Sequence, residues 1–401
     1  MDEILHELTN TEAVVPLTFN DDYRATRQVA DQALESADIV TLTGRVSDDV
    51  LKSGLLFPDV DSLIERCVTA LLSGHLVLQG PPGTGKTTLS TILARAFDAT
   101  SQLETATADW STYDVIGGLH PSATETFGET LVPWLGHVPR AALECASIIA
   151  RHDDPDENEE HQAHWLIIDE FSRAEIDKAI GPLYTYLGGS TDSPLPLWFG
   201  ANDHTNKIFI PNRFRIIGTM NTVDTNFVYT FSQGLSRRFR FVYVGVPEKS
   251  QVQQELEQLT KNAARWYSAT YLHTDDERDE FNERFVTSPK VVKCTKLLEK
   301  LLHQLRYADD NDDYLGWPIG SAQLLDLYKQ IALHEPYCDG GSEDALLPKL
   351  DLAIADSLIP QAADLTRVQI ERINDWVTGE PTLPRTARAL RHLAQAAATG
   401  Y

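Results

Sequence analysis

The sequence predicts an α/β fold: a parallel sheet covered by helices over residues 56–247, with helical segments before it (1–55) and after it (248–401). Three observations carry this. Short apolar runs such as "LVLQG", "HWLIIDE" and "FRIIGTMN" alternate with stretches of helical periodicity, the pattern of parallel strands joined by helices. One strand-to-helix junction holds "GPPGTGKT" (80–87), a glycine-rich turn with a strand before it and a helix after it. From Pro247 onward the spacing is helical throughout.

Residues 1–55 read as polar and helical, with a weak apolar stripe around "YRATRQVADQAL". "LLFPDVDSLIERCVTALLSG" continues with helical periodicity, breaks at Ser73-Gly74, and gives way to a strand at 76–79. "RHDDPDENEEHQ" (151–162) is a charged break, read as an exposed loop. Helices are expected over "KSQVQQELEQLTKNAARWYSATYL", "SPKVVKCTKLLEKLLHQL" and "SAQLLDLYKQIALH". The chain carries no internal repeat and no low-complexity tract.

Composition excludes several classes. No window holds about 18 uninterrupted apolar residues, so no membrane span is expected. The acidic start "MDEILHELTN" lacks a secretory pattern, which points to a cytoplasmic protein. Cys67, Cys145, Cys294 and Cys338 form no CxxC pair, against both a zinc knuckle and a disulfide framework. With 59 Asp+Glu against 34 Lys+Arg the net charge is −25, and only 12 of those cations are lysine. Such an acidic, lysine-poor balance suits a high-salt cytoplasm and disfavours a broad nucleic-acid surface.

Four elements carry chemistry. In the first, Gly80, Pro81, Pro82, Gly83, Thr84, Gly85, Lys86, Thr87 and Thr88 form a phosphate-binding loop. Its glycines let backbone N–H groups curl around phosphate, Lys86 brings a charge to the β- and γ-phosphates, and Thr87 offers a hydroxyl to Mg²⁺. The helix that starts there turns its positive end to the same anion. In "HWLIIDEFSRA" a buried strand ends in two acids: Asp169 as the second Mg²⁺ ligand, Glu170 as the general base on water. The alternative is a solvated acidic strand end. In "FRIIGTMNTVD" Asn221 ends a further strand and could bond the γ-phosphate or the attacking water; alone it would be an ordinary turn asparagine. In "FSQGLSRRFRFV" Arg237 and Arg238 precede a strand, as phosphoryl-stabilising arginines or as a plain basic helix end.

In this order and spacing the four elements resemble an AAA+ ATPase over roughly residues 56–330. The resemblance implies a five-stranded parallel core in the order 5-1-4-3-2, a helical lid, ATP with Mg²⁺, and a homo-oligomeric, usually hexameric, ring. The long segment 105–143, with Thr107, Asp109, Asp114, Ile116 and Gly117, is similar to the hairpin insert of the MoxR, McrB and dynein-related branch. A second hairpin is expected over 194–211. "DEFSRA" resembles that branch's motif with Ser172 in place of Asn, and Arg173 is a candidate for the subunit boundary. "GTMNTVDTN" and "LSRRFRFV" look closest to the McrB-like side, although Thr225 stands where that group has arginine. "WPIGSAQLLDL" (317–327) has no arginine between Gly320 and Leu325, unlike the MoxR-type lid.

The resemblance leaves several roles open. As a McrB-like subunit the protein would use GTP and drive a nuclease partner on DNA. As a MoxR-like chaperone it would act on a protein such as a von Willebrand-type metal-binding partner. A regulatory ATP-binding scaffold with little turnover is a third role. A P-loop kinase would leave Asn221 and the arginine pair without work. ATP is the expected nucleotide.

Overall fold

The structure is a computed structural model, and it describes residues 22–35, 38–124, 128–187, 193–199, 207–221, 233–307, 316–338 and 342–399. Nine strands are described: β1 (His75–Gly80), β2 (Ala99–Thr105), β3 (Gly117–Thr124), β4 (Gly128–Leu135), β5 (Ala163–Asp169), β6 (Leu195–Pro196), β7 (Lys207–Ile208), β8 (Ile216–Asn221) and β9 (Phe239–Tyr243). Five of them build one sheet in the order β2-β5-β8-β1-β9, every pair parallel. Counted among themselves, these five read 5-1-4-3-2 from the β9 edge, the order expected from the resemblance. The other four make two antiparallel hairpins, β3-β4 and β6-β7. They fall within 105–143 and 194–211, where hairpins are expected; residues 200–206 of the second stretch lie outside the described residues, as do Asp224 and Thr225.

The helix Ile39–Ser53 begins on the Asp38 side chain, which accepts from the Thr41 amide at 2.7 Å, and ends on Gly54 at φ 72°. That left-handed turn swings Leu55 across to the phosphate loop. A Cβ on Gly85 would come within 2.8 Å of a Leu55 methyl. The helix Val60–Ser73 stops before Gly74, and the buried Leu76, Val77 and Leu78 carry β1 between β8 and β9.

Buried apolar side chains form two clusters. One runs from Val29 to Val244 and includes Leu42, Val46 and Val50, so the helix before the sheet shares its core. The other runs from Val252 to Leu390 and is all-helical. Each fully buried large side chain, Trp165 or Leu78 for example, contributes on the order of 1.5–3 kcal/mol. The helix Asp275–Thr287 starts on a capping box between Thr274 and Glu277. Cys67, Cys145 and Cys294 are buried free thiols, each pushed up to about 12 by burial, which leaves them inert. Among the described residues no helix is long and apolar enough to cross a membrane.

Candidate functional site

The carboxyl ends of β5, β8 and β1 lie side by side, where open α/β sheets hold their ligands. Gly80, the last residue of β1, pairs in register with Asn221, the last of β8. The loop from Pro81 to Gly85 then turns into the helix Lys86–Ala96, with Gly83 at φ 75° and Gly85 at φ 87°. Both values lie in the left-handed region that favours glycine, which explains the two glycines the motif demands. Thr84 Oγ1 closes the loop on the Pro81 carbonyl at 3.0 Å.

Lys86 is buried, and its Nζ donates to the carbonyls of Gly80 (3.1 Å) and Pro81 (2.7 Å) and to Asn221 Oδ1 (3.0 Å). The Asn221 amide therefore faces two ways. Its Oδ1 takes the lysine, and its Nδ2 donates to both Glu170 oxygens at 3.2 and 3.1 Å. Glu170 follows β5 at φ 56°, a conformation that side chains other than glycine rarely adopt, and its backbone N–H reaches Thr219 Oγ1 at 3.3 Å. Its carboxylate also meets Arg173 Nε at 3.1 Å, on the solvent side.

Asp169 Oδ1 accepts from Thr87 Oγ1 at 2.9 Å and from the Thr219 hydroxyl. This joins the helix after the loop, β5 and β8 at one carboxylate oxygen. Thr219 was not singled out in the sequence, where it looks like an ordinary strand residue. Its signal was its place two residues before Asn221, on the same face of β8. The donor set of Thr87 hydroxyl and Asp169 carboxylate is made of hard oxygens, as Mg²⁺ requires. Thr88 opens on a cavity of about 280 Å³ beside the loop, together with Gly54, Leu55, Gln258, Leu259 and Asn262. One wall of that cavity belongs to the C-terminal helices.

Those helices touch the loop directly. The Ala322 amide, at the start of the helix Ser321–His334, donates to the Gly83 carbonyl at 3.0 Å. A Cβ on Gly320 would sit 2.2 Å from the Pro82 carbonyl, so only glycine fits there. No arginine occupies this contact, in agreement with the sequence of 317–327. A buried ion pair stands behind it. Arg306 grips Glu255 through Nη1 (2.5 Å) and Nη2 (3.0 Å), and Ser321 donates to the same carboxylate. Glu255 also lines the cavity.

Arg237 and Arg238 are not part of this cluster. They end the helix Gln233–Arg238, immediately before β9, whose Phe239 pairs with His75 at the start of β1. The length of β1 thus separates them from Gly80, a span on the order of 15–20 Å. Arg238 donates to the Tyr184 carbonyl at 2.9 Å and lies over the Tyr184 ring, while Arg237 is exposed.

A five-stranded parallel sheet in this order, with the loop, the two acids and Asn221 at its carboxyl edge and a helical unit seated on the loop, defines a P-loop nucleotide-binding protein of the AAA+ class. Residues 75–239 match the family described as the AAA domain (dynein-related subfamily), and this part of the chain is such a domain. A search of curated proteins found no match to the chain.

Proposed function

We propose that the protein is a Mg-dependent ATP-hydrolysing AAA+ motor that works as a homo-oligomeric ring on a partner macromolecule. The observation that carries this is the two-way hydrogen bonding of Asn221, which ties the phosphate-binding lysine to the acid that would activate water. A regulatory scaffold that only binds nucleotide has no need of that link.

In this reading the loop amides and Lys86 hold the phosphates, and Thr87 and Asp169 hold Mg²⁺. The metal, when bound, neutralises charge developing on the phosphate oxygens. Glu170 takes the proton of the attacking water, and Asn221 orients that water and the carboxylate. Arg237 and Arg238 serve the site of a neighbouring copy, since they stand at the far end of β1 from their own loop. The base would rest in the cavity between Leu55 and the helix Val252–Tyr271, so binding would bear on the helical unit through Gly83–Ala322 and Glu255–Arg306. The β3-β4 and β6-β7 hairpins, outside the central sheet, are the elements that would pass movement to a partner.

Turnover of the wild-type chain against Glu170→Gln tests this. A fall on the order of 10²–10⁴-fold with nucleotide binding retained supports a hydrolytic base. Equal turnover in both, over a range of protein and salt concentrations, would refute it.

A further inference from the structure

Below the sheet, at the opposite edge from the phosphate loop, lies a cavity of about 170 Å³. Arg215, Arg237 and Arg238 all line it, with Asn212, Ser73 and His75. No aspartate or glutamate is among the described residues that do. In a chain of net charge −25 this is an unusual concentration of one sign.

Arg215 is the informative member. It is 7% exposed, and its guanidinium donates only to backbone carbonyls: Leu71 (2.6 Å), Asn212 (2.6 Å) and Phe214 (2.9 Å). No carboxylate of the described residues comes within ion-pair distance of it. Arg213, two residues earlier and also buried, has Glu35 at 3.7 Å and Asp153 at 3.9 Å. A guanidinium taken out of water without a counter-ion is costly, and carbonyl dipoles offset only part of that cost. Burial draws Arg215 down to about 10, which still leaves it charged at neutral pH. His75 adds no charge. Burial and the neighbouring Arg215 hold it down to about 3, and its Nδ1 accepts from the Ile216 amide at 3.0 Å.

Arg238 is fixed in place by Tyr184 and by the Gly234 carbonyl at 3.3 Å. One fixed arginine, one buried arginine and one exposed arginine at the mouth make a three-sided donor set. Planar guanidinium forks suit the oxygens of a tetrahedral anion. We propose that this cavity is a second phosphate site, taking free orthophosphate on Arg215, Arg237 and Arg238 within a single chain whenever Arg237 and Arg238 are not engaged at a neighbouring copy. It does not depend on the proposed hydrolysis. The anion supplies the counter-charge that no described carboxylate gives Arg215, and draws Arg237 in from solvent.

The test uses the full chain carrying Lys86→Ala, which removes orthophosphate binding at the loop. Orthophosphate is titrated by calorimetry and by ³¹P line broadening, against sodium chloride at matched ionic strength. Saturable binding is expected, at least tenfold weaker after Arg237→Ala and again after Arg215→Met. No saturable binding, or binding unchanged by these substitutions, overturns the proposal. Should Arg215→Met fail to fold, the exposed Arg237 still decides the matter. The titration is repeated at a tenfold lower protein concentration. Binding that persists supports a site within one chain; binding that disappears assigns the phosphate to a junction between copies and overturns it. No turnover in the wild-type chain, beside an intact titration of the Lys86→Ala chain, would refute the hydrolytic reading alone; wild-type turnover beside an absent titration would refute this one alone.

Discussion

The two edges of the central sheet handle charge in opposite ways. At the carboxyl edge, Lys86, Asn221, Glu170, Asp169, Thr87 and Thr219 are linked to one another, cation to amide to acid. At the amino edge, Arg215 and Arg238 hydrogen-bond, among the described residues, to backbone carbonyls alone, and Arg237 faces solvent. At one edge every cation and acid named has a partner within the cluster. The other is rich in cations, and among the described residues no carboxylate lines its cavity. In the proposed reading, one chain carries both halves of a phosphoryl-transfer site, kept apart by the length of β1. That reading joins them across two copies.

The comparison can be broken at either edge. The largest effect is expected at the amino edge. Replacing both Arg237 and Arg238 by Ala should lower turnover about 10³-fold or more while nucleotide affinity stays within a few-fold. A calorimetric titration beside a phosphate-release assay reads both numbers, and a parallel loss of affinity would place the arginines in binding instead.

Next comes the lid. Glu255→Gln leaves the Arg306 charge buried without its partner and should cost about 3–5 kcal/mol of stability, read by urea denaturation. A change below about 1 kcal/mol would mean that the pair contributes little to holding the helices behind the loop.

At the carboxyl edge, Lys86→Ala should weaken nucleotide binding on the order of 100-fold, about 3 kcal/mol. Tight binding in this variant would refute the phosphate-cradle assignment.

The smallest effect concerns His75. Its folded-state value lies well below the ordinary 6.5, so the unfolded chain takes up a proton that the folded chain refuses. Its contribution to stability is complete above pH 6.5 and is lost as pH falls toward about 3, by about 2 kcal/mol between pH 7 and 5. His75→Asn can keep the bond from the Ile216 amide and should flatten this part of the stability–pH curve. An unchanged slope would show that other groups set it.

Much of the carboxyl edge was legible in the sequence. The loop, the two acids and Asn221 each sit at a strand end, and strand ends can be read from apolar runs. The strand order came with the family resemblance, since spacing alone does not tell β1 between β8 and β9 from other orders. What escaped were contacts made across long stretches of chain. Glu255 and Arg306 are 51 residues apart, and nothing local in either helix announces that they meet. The seat of Ala322 on Gly83 crosses from one core to the other. Arg215 was readable only as one of two arginines flanking Phe214 at the head of an apolar strand. That Arg213 finds acids and Arg215 does not is decided by which elements pack there. Glu170 carries a strained backbone that no pattern of residue types discloses.

In the proposed ring, one chain's carboxyl edge is completed by another chain's amino edge. Mixing two inactive chains measures this directly: Glu170→Gln, which keeps its arginines, and the double Arg237→Ala, Arg238→Ala chain, which keeps its acids. The account predicts that the mixture regains turnover that neither chain has alone, with a maximum near equal amounts. A mixture as inactive as its parts, although the two chains co-assemble, would contradict it.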